Sequence, residues 1–265
     1  MPPAKKRTRR YDPAKTRAAV LAQFGHVRHA VRTLTPEQLG RPTRLGDWTV
    51  RELVVHLTMS LGMLERRLAA VEPLKQEVAL LDRPFTTASE ADQVSDTVKE
   101  LAASVDDLDA LFEERAARTA ELFATTADDR LLPTRSGAMT FADALVTWTV
   151  ELTVRTDDLN DALPELGVPY GPQALAACVR LLADALAVKA PGGSVEVRVP
   201  PYAVVQCVAG PKHTRGTPPN VVETDPLTWV RLATGRIGWA EALDAAKVAA
   251  SGERADLAAV LPVMP

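Results

Sequence analysis

The sequence predicts two structural units, a four-helix bundle over residues 13–165 and a small α+β domain over residues 170–265. Three observations predict this. Four runs in the first part repeat apolar residues at helical spacing, separated by proline-containing connections. After Pro164 the pattern changes to short alternating, valine-rich runs set between helical ones, without a repeating strand–helix–strand unit. The 265 residues, 46% hydrophobic and 25% charged, are enough to bury two cores.

The first predicted helix runs from Pro13 to about Leu34, with Val20, Leu21, Phe24, Val27, Ala30, Val31 and Leu34 on one face and Pro13 suited to a first helical position. Pro36 and Pro42 mark Thr35–Asp47 as a loop. Thr49 and Glu52 form a capping-box pattern opening a second helix to about Val71, striped by Leu53, Leu57, Leu64 and Leu68. Pro73 and Pro84 bracket an irregular connection with room for a short helix. The apolar spacing from Glu90 to Ala124 predicts a third helix, long enough to be broken in its middle. Asp128–Met139 reads as a loop, and Thr140 with Asp143 starts a fourth helix to about Leu163.

In the second unit a helix is expected over Gln173–Lys189. Ser194–Val208 reads as two strands joined at Pro200-Pro201, with Val195, Val197 and Val199 on one face. A short strand follows at Asn220–Glu223, then helices at Pro226–Thr234 and Trp239–Ala246, a strand at Val248–Ser251 and a helix at Arg254–Leu261.

Net charge is −3, with a pI near 5.9, which argues against a general nucleic-acid binder. The basic exception, MPPAKKRTRR, belongs to an expected flexible tail over residues 1–12. No apolar run is long enough for a transmembrane segment and no signal-peptide pattern opens the chain, so a cytoplasmic location is expected. Cys178 and Cys207 make neither a disulfide framework nor a metal cluster by spacing, and read as small buried residues. No internal repeat, P-loop or dinucleotide fingerprint is present.

Candidate chemistry gathers on the second and fourth helices. His56 falls to one side of the stripe Leu53, Leu57, Leu61 and Leu64, where a bundle-facing ligand and an ordinary half-buried histidine would both sit. On the fourth helix Phe141, Leu145, Trp148, Leu152 and Leu159 form the stripe, with Glu151 on its flank, Arg155 one turn on and Asp158 beyond. Glu151 and Arg155 stand i,i+4 with the acid first, the favourable order for a helical ion pair, and Arg155 also reaches Asp158. His26 and His29, i,i+3 on the first helix, read as surface or helix-border residues, although such a pair can ligate metal.

LGDWTVRELVVHL, from Leu45 to Leu57, and WTVELTVRTDDLNDAL, from Trp148 to Leu163, together resemble the mycothiol-dependent maleylpyruvate isomerase family of DinB-like bundles. The resemblance implies a metal site, usually zinc, with His56 and Glu151 as ligands, and places the third ligand, a histidine in the family, at Arg155. It also implies mycothiol as an external thiol, held as thiolate, which adds to an activated double bond, permits rotation and is eliminated. Arg155 cannot ligate a metal, and its charge repels a divalent cation. The pattern therefore suggests a three-ligand site damaged at one ligand, with Asp158 as a distant substitute and an anion beside Arg155 as another occupant.

The second unit is similar to bacterial sterol-carrier-like domains through GSVEVRVPPYAVVQC, HTRGTPPNVVETDPLTWVRLATGR and VAASGERADLAAVLPVM. Trp229, Leu232, Ile237, Trp239, Leu257 and Leu261 can line an apolar tunnel or fill a dry core. The loop His213–Asn220 carries His213, Arg215 and Asn220 for an anion or the other domain, or is a plain turn. Two functions are expected: a mycothiol-dependent isomerase or thiol transferase acting on a small-molecule substrate, or a non-catalytic carrier for an apolar or anionic small molecule.

Overall fold

The computed structural model describes residues 9–86, 91–210 and 219–264. Helix α1 (Pro13–Val31) is N-capped by Asp12, whose carboxylate accepts the Lys15 amide at 3.0 Å. A short α2 (Pro36–Leu39) interrupts the expected loop, because Thr35 and Gln38 form a capping box there. The long second helix divides at Met63 into α3 (Val50–Gly62) and α4 (Leu64–Ala69). Glu52 reaches back to the Thr49 amide at 2.7 Å and so orients the start of α3. A 3-10 turn spans Leu80–Phe85, in the connection where a short helix fitted.

The third helical run is broken, as its length allowed, into α5 (Ala91–Ser104) and α6 (Leu108–Thr125). Asp107 caps α6 through the Ala110 amide. The expected loop at Asp128–Met139 is instead a hairpin, β1 (Leu131–Thr134) and β2 (Gly137–Thr140), turned at Gly137 with φ 122°. It forms because Leu132 and Met139 are anchored in the bundle core. The carboxylates of Glu72 and Glu77 accept the Leu131 and Ala138 amides. Strands of four residues are too short to show an alternating signal.

Helix α7 (Phe141–Ala162) begins with Thr140 accepting the Asp143 amide at 3.1 Å. It is the wall shared by both units. Phe141, Leu145, Trp148, Leu152 and Leu159 enter the bundle core with Phe24, Leu53 and Phe112. Val146, Val150 and Val154 enter a second core with α8 (Pro172–Lys189) and Trp229. At about 1.5–3 kcal/mol for each fully buried valine, that second stripe holds the two units together strongly. Gln23 of α1, fully buried, fastens the linker between them: it donates to Thr156 Oγ1 at 3.0 Å and Pro169 O at 3.1 Å, and accepts the Gly171 amide at 2.6 Å.

The second unit is a four-stranded sheet in the order β4 (Ala203–Cys207), β3 (Val195–Val199), β5 (Val221–Thr224), β6 (Val248–Ser251). β3 pairs antiparallel with β4 and parallel with β5, and β6 closes antiparallel on β5. Val195, Val197 and Val199 are all fully buried, on the face the alternation predicts. Helices α9 (Pro226–Ala233) and α10 (Trp239–Asp244) complete the unit.

The expected helix Arg254–Leu261 is absent; the segment runs as turns. Asp256 accepts the Ala258 amide at 2.8 Å, and Leu257 O takes the amides of Val260 and Leu261, giving one turn. Pro262 then opposes continuation, since the residue before proline disfavours helix. The Val263 and Met264 amides bond Ala233 O instead. At the other end, Arg9 and Tyr11 fall within the stretch expected as a free tail, yet Arg9 grips Asp184 of α8 at 2.9 and 3.2 Å. Residues 1–8, like His213, Arg215 and their neighbours to Pro218, lie outside the described residues. Asn220 is buried, donating to Ser194 O at 2.8 Å and accepting the Arg254 amide at 3.0 Å, which makes it a structural link between strand ends.

Candidate functional site

The site begins with the loop before α3. Gly46 takes a left-handed φ of 62°, a conformation that carries no penalty for glycine, and turns the chain so that Trp48 enters the interior. Trp48 Nε1 donates to Ser95 Oγ at 2.9 Å, tying this loop to α5. The Trp48 ring packs against His56 with centroids 5.1 Å apart. His56 is 7% exposed, so the half-buried border position expected from the stripe is nearly closed.

His56 Nε2 lies 2.6 Å from Glu151 Oε1. The same carboxylate oxygen accepts from Arg155 Nε at 3.1 Å, and Arg155 Nη1 donates to Asp158 Oδ2 at 3.1 Å. The structure thus joins Glu151, Arg155 and Asp158 as their spacing predicts, and places His56 beside Glu151. Burial opposes ionisation of Glu151, but the Arg155 charge, with His56 and the hydrogen bonds from both, outweighs it and holds the carboxyl well below the usual carboxylate range. Burial likewise opposes the Arg155 charge, and Glu151 and Asp158 outweigh it, raising its pKa. His56 Nδ1 is buried without a hydrogen-bond partner among the described residues. A buried polar atom left unpaired costs free energy, about 1–3 kcal/mol.

This cluster opens into a cavity of about 920 Å³ between the bundle and the sheet domain. Arg44, Arg67, Arg83, Arg135, Arg155 and Arg236 line it against the acids Asp47, Glu151 and Asp161, with Met59, Trp148 and Leu181 among the apolar walls. A large cavity with apolar walls suits a small molecule.

Sequence reasoning missed the arginines that enclose this cluster. Arg236, between α9 and α10, grips Asp158 at 2.7 and 2.8 Å, and Arg231 of α9 grips Asp157 at 2.7 to 3.0 Å. Both aspartates are fully buried. Arg44 lies behind them, bonded to Asp161 at 2.9 Å. One signal was available: two consecutive aspartates between apolar residues of a helix demand buried cationic partners, though not their identity. Asp158 has both carboxylate oxygens bonded to Arg236 and shares Arg155 with Glu151.

The other candidates separate from the site. His29 is exposed, His26 abuts the linker at Gly171, and neither lines the cavity. Cys178 and Cys207 are fully buried, and burial pushes the Cys178 thiol up, so each serves as core. Trp229, Leu232, Ile237 and Leu257 are buried in the second core, where Trp239 and Leu261 pack partly covered against them. None of these six residues lines the cavity between the two units. Among the described residues no helix is long and apolar enough to cross a membrane.

Residues 20–160 match the family described as the mycothiol maleylpyruvate isomerase N-terminal domain, and residues 172–263 match the bacterial SCP ortholog family. No curated protein matches the chain. Among solved structures the chain is similar to a mycothiol-dependent maleylpyruvate isomerase, with TM-score 0.61 and 15% identity over 91% of this chain and 93% of that one. It is similar also to a histidine-to-alanine mutant of such an enzyme, with TM-score 0.59, 15% identity and the same coverage of both chains. At this identity the likeness is one of fold: a helical bundle joined to a sterol-carrier-like domain.

Proposed function

The chain belongs to the mycothiol maleylpyruvate isomerase N-terminal domain family, and from that premise we propose an isomerase-like protein that has exchanged its metal centre for an ion-pair network and binds a small organic anion in the interdomain cavity. The observation that carries this reading is Arg155 Nε at 3.1 Å from Glu151 Oε1, in the place where the resemblance puts the third ligand. Zinc does not fit the donors as they stand. His56 Nε2 and Glu151 Oε1 are 2.6 Å apart, whereas two donors on one tetrahedral zinc stand about 3.3 Å apart at ordinary bond lengths. Glu151 Oε1 takes both neighbours, His56 and Arg155, and Arg155 offers no lone pair.

In this reading Arg155 supplies charge for an incoming carboxylate or phosphate, with Arg44 and Arg236 nearby. Glu151 accepts a hydrogen bond from His56 Nε2–H and fixes the ring, so that Nδ1 is the ring's remaining polar atom. Metal analysis of the purified chain tests it. Substoichiometric zinc is expected, with a rise in Tm on adding maleate that Arg155→Gln abolishes. Stoichiometric bound zinc overturns it.

A second reading retains sulfur chemistry with an external thiol such as mycothiol. The cavity volume favours it, being ample for a thiol cofactor beside a substrate, as does the burial of both cysteines away from the cavity. Mycothiol-dependent isomerisation of maleylpyruvate by the metal-free chain is its direct assay; turnover no faster than with mycothiol alone ends it.

A further inference from the structure

Arg236 belongs to the sheet domain, yet its guanidinium reaches the bundle's wall helix and lines the cavity. It takes both oxygens of Asp158, with Nε to Oδ1 at 2.7 Å and Nη2 to Oδ2 at 2.8 Å. Arg155 shares only Oδ2, through Nη1 at 3.1 Å, and its Nε is left to bond Glu151. Arg44 stands further off, 3.7 Å from Oδ1.

We infer that Arg236 is a positioning residue: by occupying both oxygens of Asp158 it keeps the Arg155 guanidinium over Glu151 and inside the cavity, so that the C-terminal domain completes the bundle's polar centre. The physical reason is the preference of guanidinium and carboxylate for the two-pronged pair. Asp158 is fully buried, and on losing Arg236 it would draw in the nearest guanidinium with both prongs. That guanidinium is Arg155, three residues back on the same helix, and its Nε would leave Glu151. A lysine at 236 keeps the charge but lacks the fork, so it does not occupy both oxygens.

The adjacent pair provides the internal contrast. Arg231 also crosses from the sheet domain, also takes both oxygens of a fully buried aspartate, Asp157, and is joined there by the Tyr170 hydroxyl at 2.8 Å. Asp157 has no hydrogen bond to Arg155 among the described residues. If Arg236 served only to dock the domains, the two arginines would be equivalent. The inference concerns the placement of Arg155 and holds whatever the cavity binds.

Arginine side-chain Nε–H resonances of the full chain test it, with Arg155 assigned by its disappearance in Arg155→Lys. The wild type should give a resolved, slowly exchanging Arg155 signal. Arg236→Met should shift it or lose it to exchange. Arg236→Lys should do the same, and it answers the question should the methionine variant fail to fold. Arg231→Met should leave the signal in place. Persistence of the signal in the Arg236 variants overturns the inference, as does an equal loss in Arg231→Met, which would mark general loosening of the interface. Zinc content bears on the metal-free reading alone, so the two fail separately.

Discussion

Helix α7 carries two polar centres within two turns, and they are finished differently. Around Asp157 everything is closed: the carboxylate is fully buried and accepts from both sides of the Arg231 fork and from Tyr170. Around Glu151 the closure is partial. Glu151 and Arg155 retain side-chain exposures of 28% and 22%, the cavity opens beside them, and His56 Nδ1 has no partner among the described residues. A saturated buried network mainly specifies how domains meet, whereas a partly exposed one beside a cavity leaves the room that the proposed anion site requires.

The contrast can be broken by mutation. The largest effect is expected for Asp157→Ala, which leaves Arg231 and Tyr170 without their shared acceptor and should cost about 3–5 kcal/mol in urea unfolding. Glu151→Gln, in the more exposed centre, should cost only about 1–2 kcal/mol. If Glu151→Gln proved the costlier, the assignment of structural and ligand-binding centres would be reversed.

Next in size is Arg155→His, which gives the open centre a third donor. Added zinc should raise its Tm, with about 2.7 kcal/mol of stabilisation when zinc reaches 100 times its Kd, while the wild type stays unmoved. Unaltered zinc response in the variant would mean divergence beyond the third ligand.

A smaller effect is expected in pH dependence. Glu151 is held below the ordinary carboxylate value, so its contribution is fully present above the unfolded pKa of about 4.3 and is lost as pH falls through the folded value. The stability gap between wild type and Glu151→Gln should therefore shrink on acidification below about pH 4. A gap independent of pH in urea titrations would show that Glu151 is not the ionised partner. The smallest effect is at the surface: Lys99→Met, which removes the exposed pair with Asp47 at 2.6 Å, should leave Tm unchanged.

Much of the fold was legible because it is local. Thr49 with Glu52, Thr140 with Asp143, Pro13 and Pro172 mark helix starts through interactions spanning a few residues. The 131–140 hairpin and the missing helix at 254–261 were not legible. In each, partners distant in sequence decided the backbone: Glu72 and Glu77 for the hairpin, Asn220 and Ala233 for the C-terminal turns.

The candidate site divides along the same line. The spacing of Glu151, Arg155 and Asp158 on one helix decided by itself that an ion-pair ladder forms, because i,i+3 and i,i+4 neighbours meet in any straight helix. His56 joined them through the bundle periodicity and the family resemblance. The enclosure of that ladder was decided by tertiary structure alone. Arg44 comes from the loop before α3 and Arg236 from the turn after α9, both far along the chain from Glu151, and nothing in their local sequence says which carboxylate they will meet. Val146, Val150 and Val154 show why: only when a second core packs on the far side of α7 do the arginines of that domain come within reach of Asp157 and Asp158. Helix geometry is a property of neighbouring residues, but the burial that makes a charge demand a partner belongs to the assembled fold.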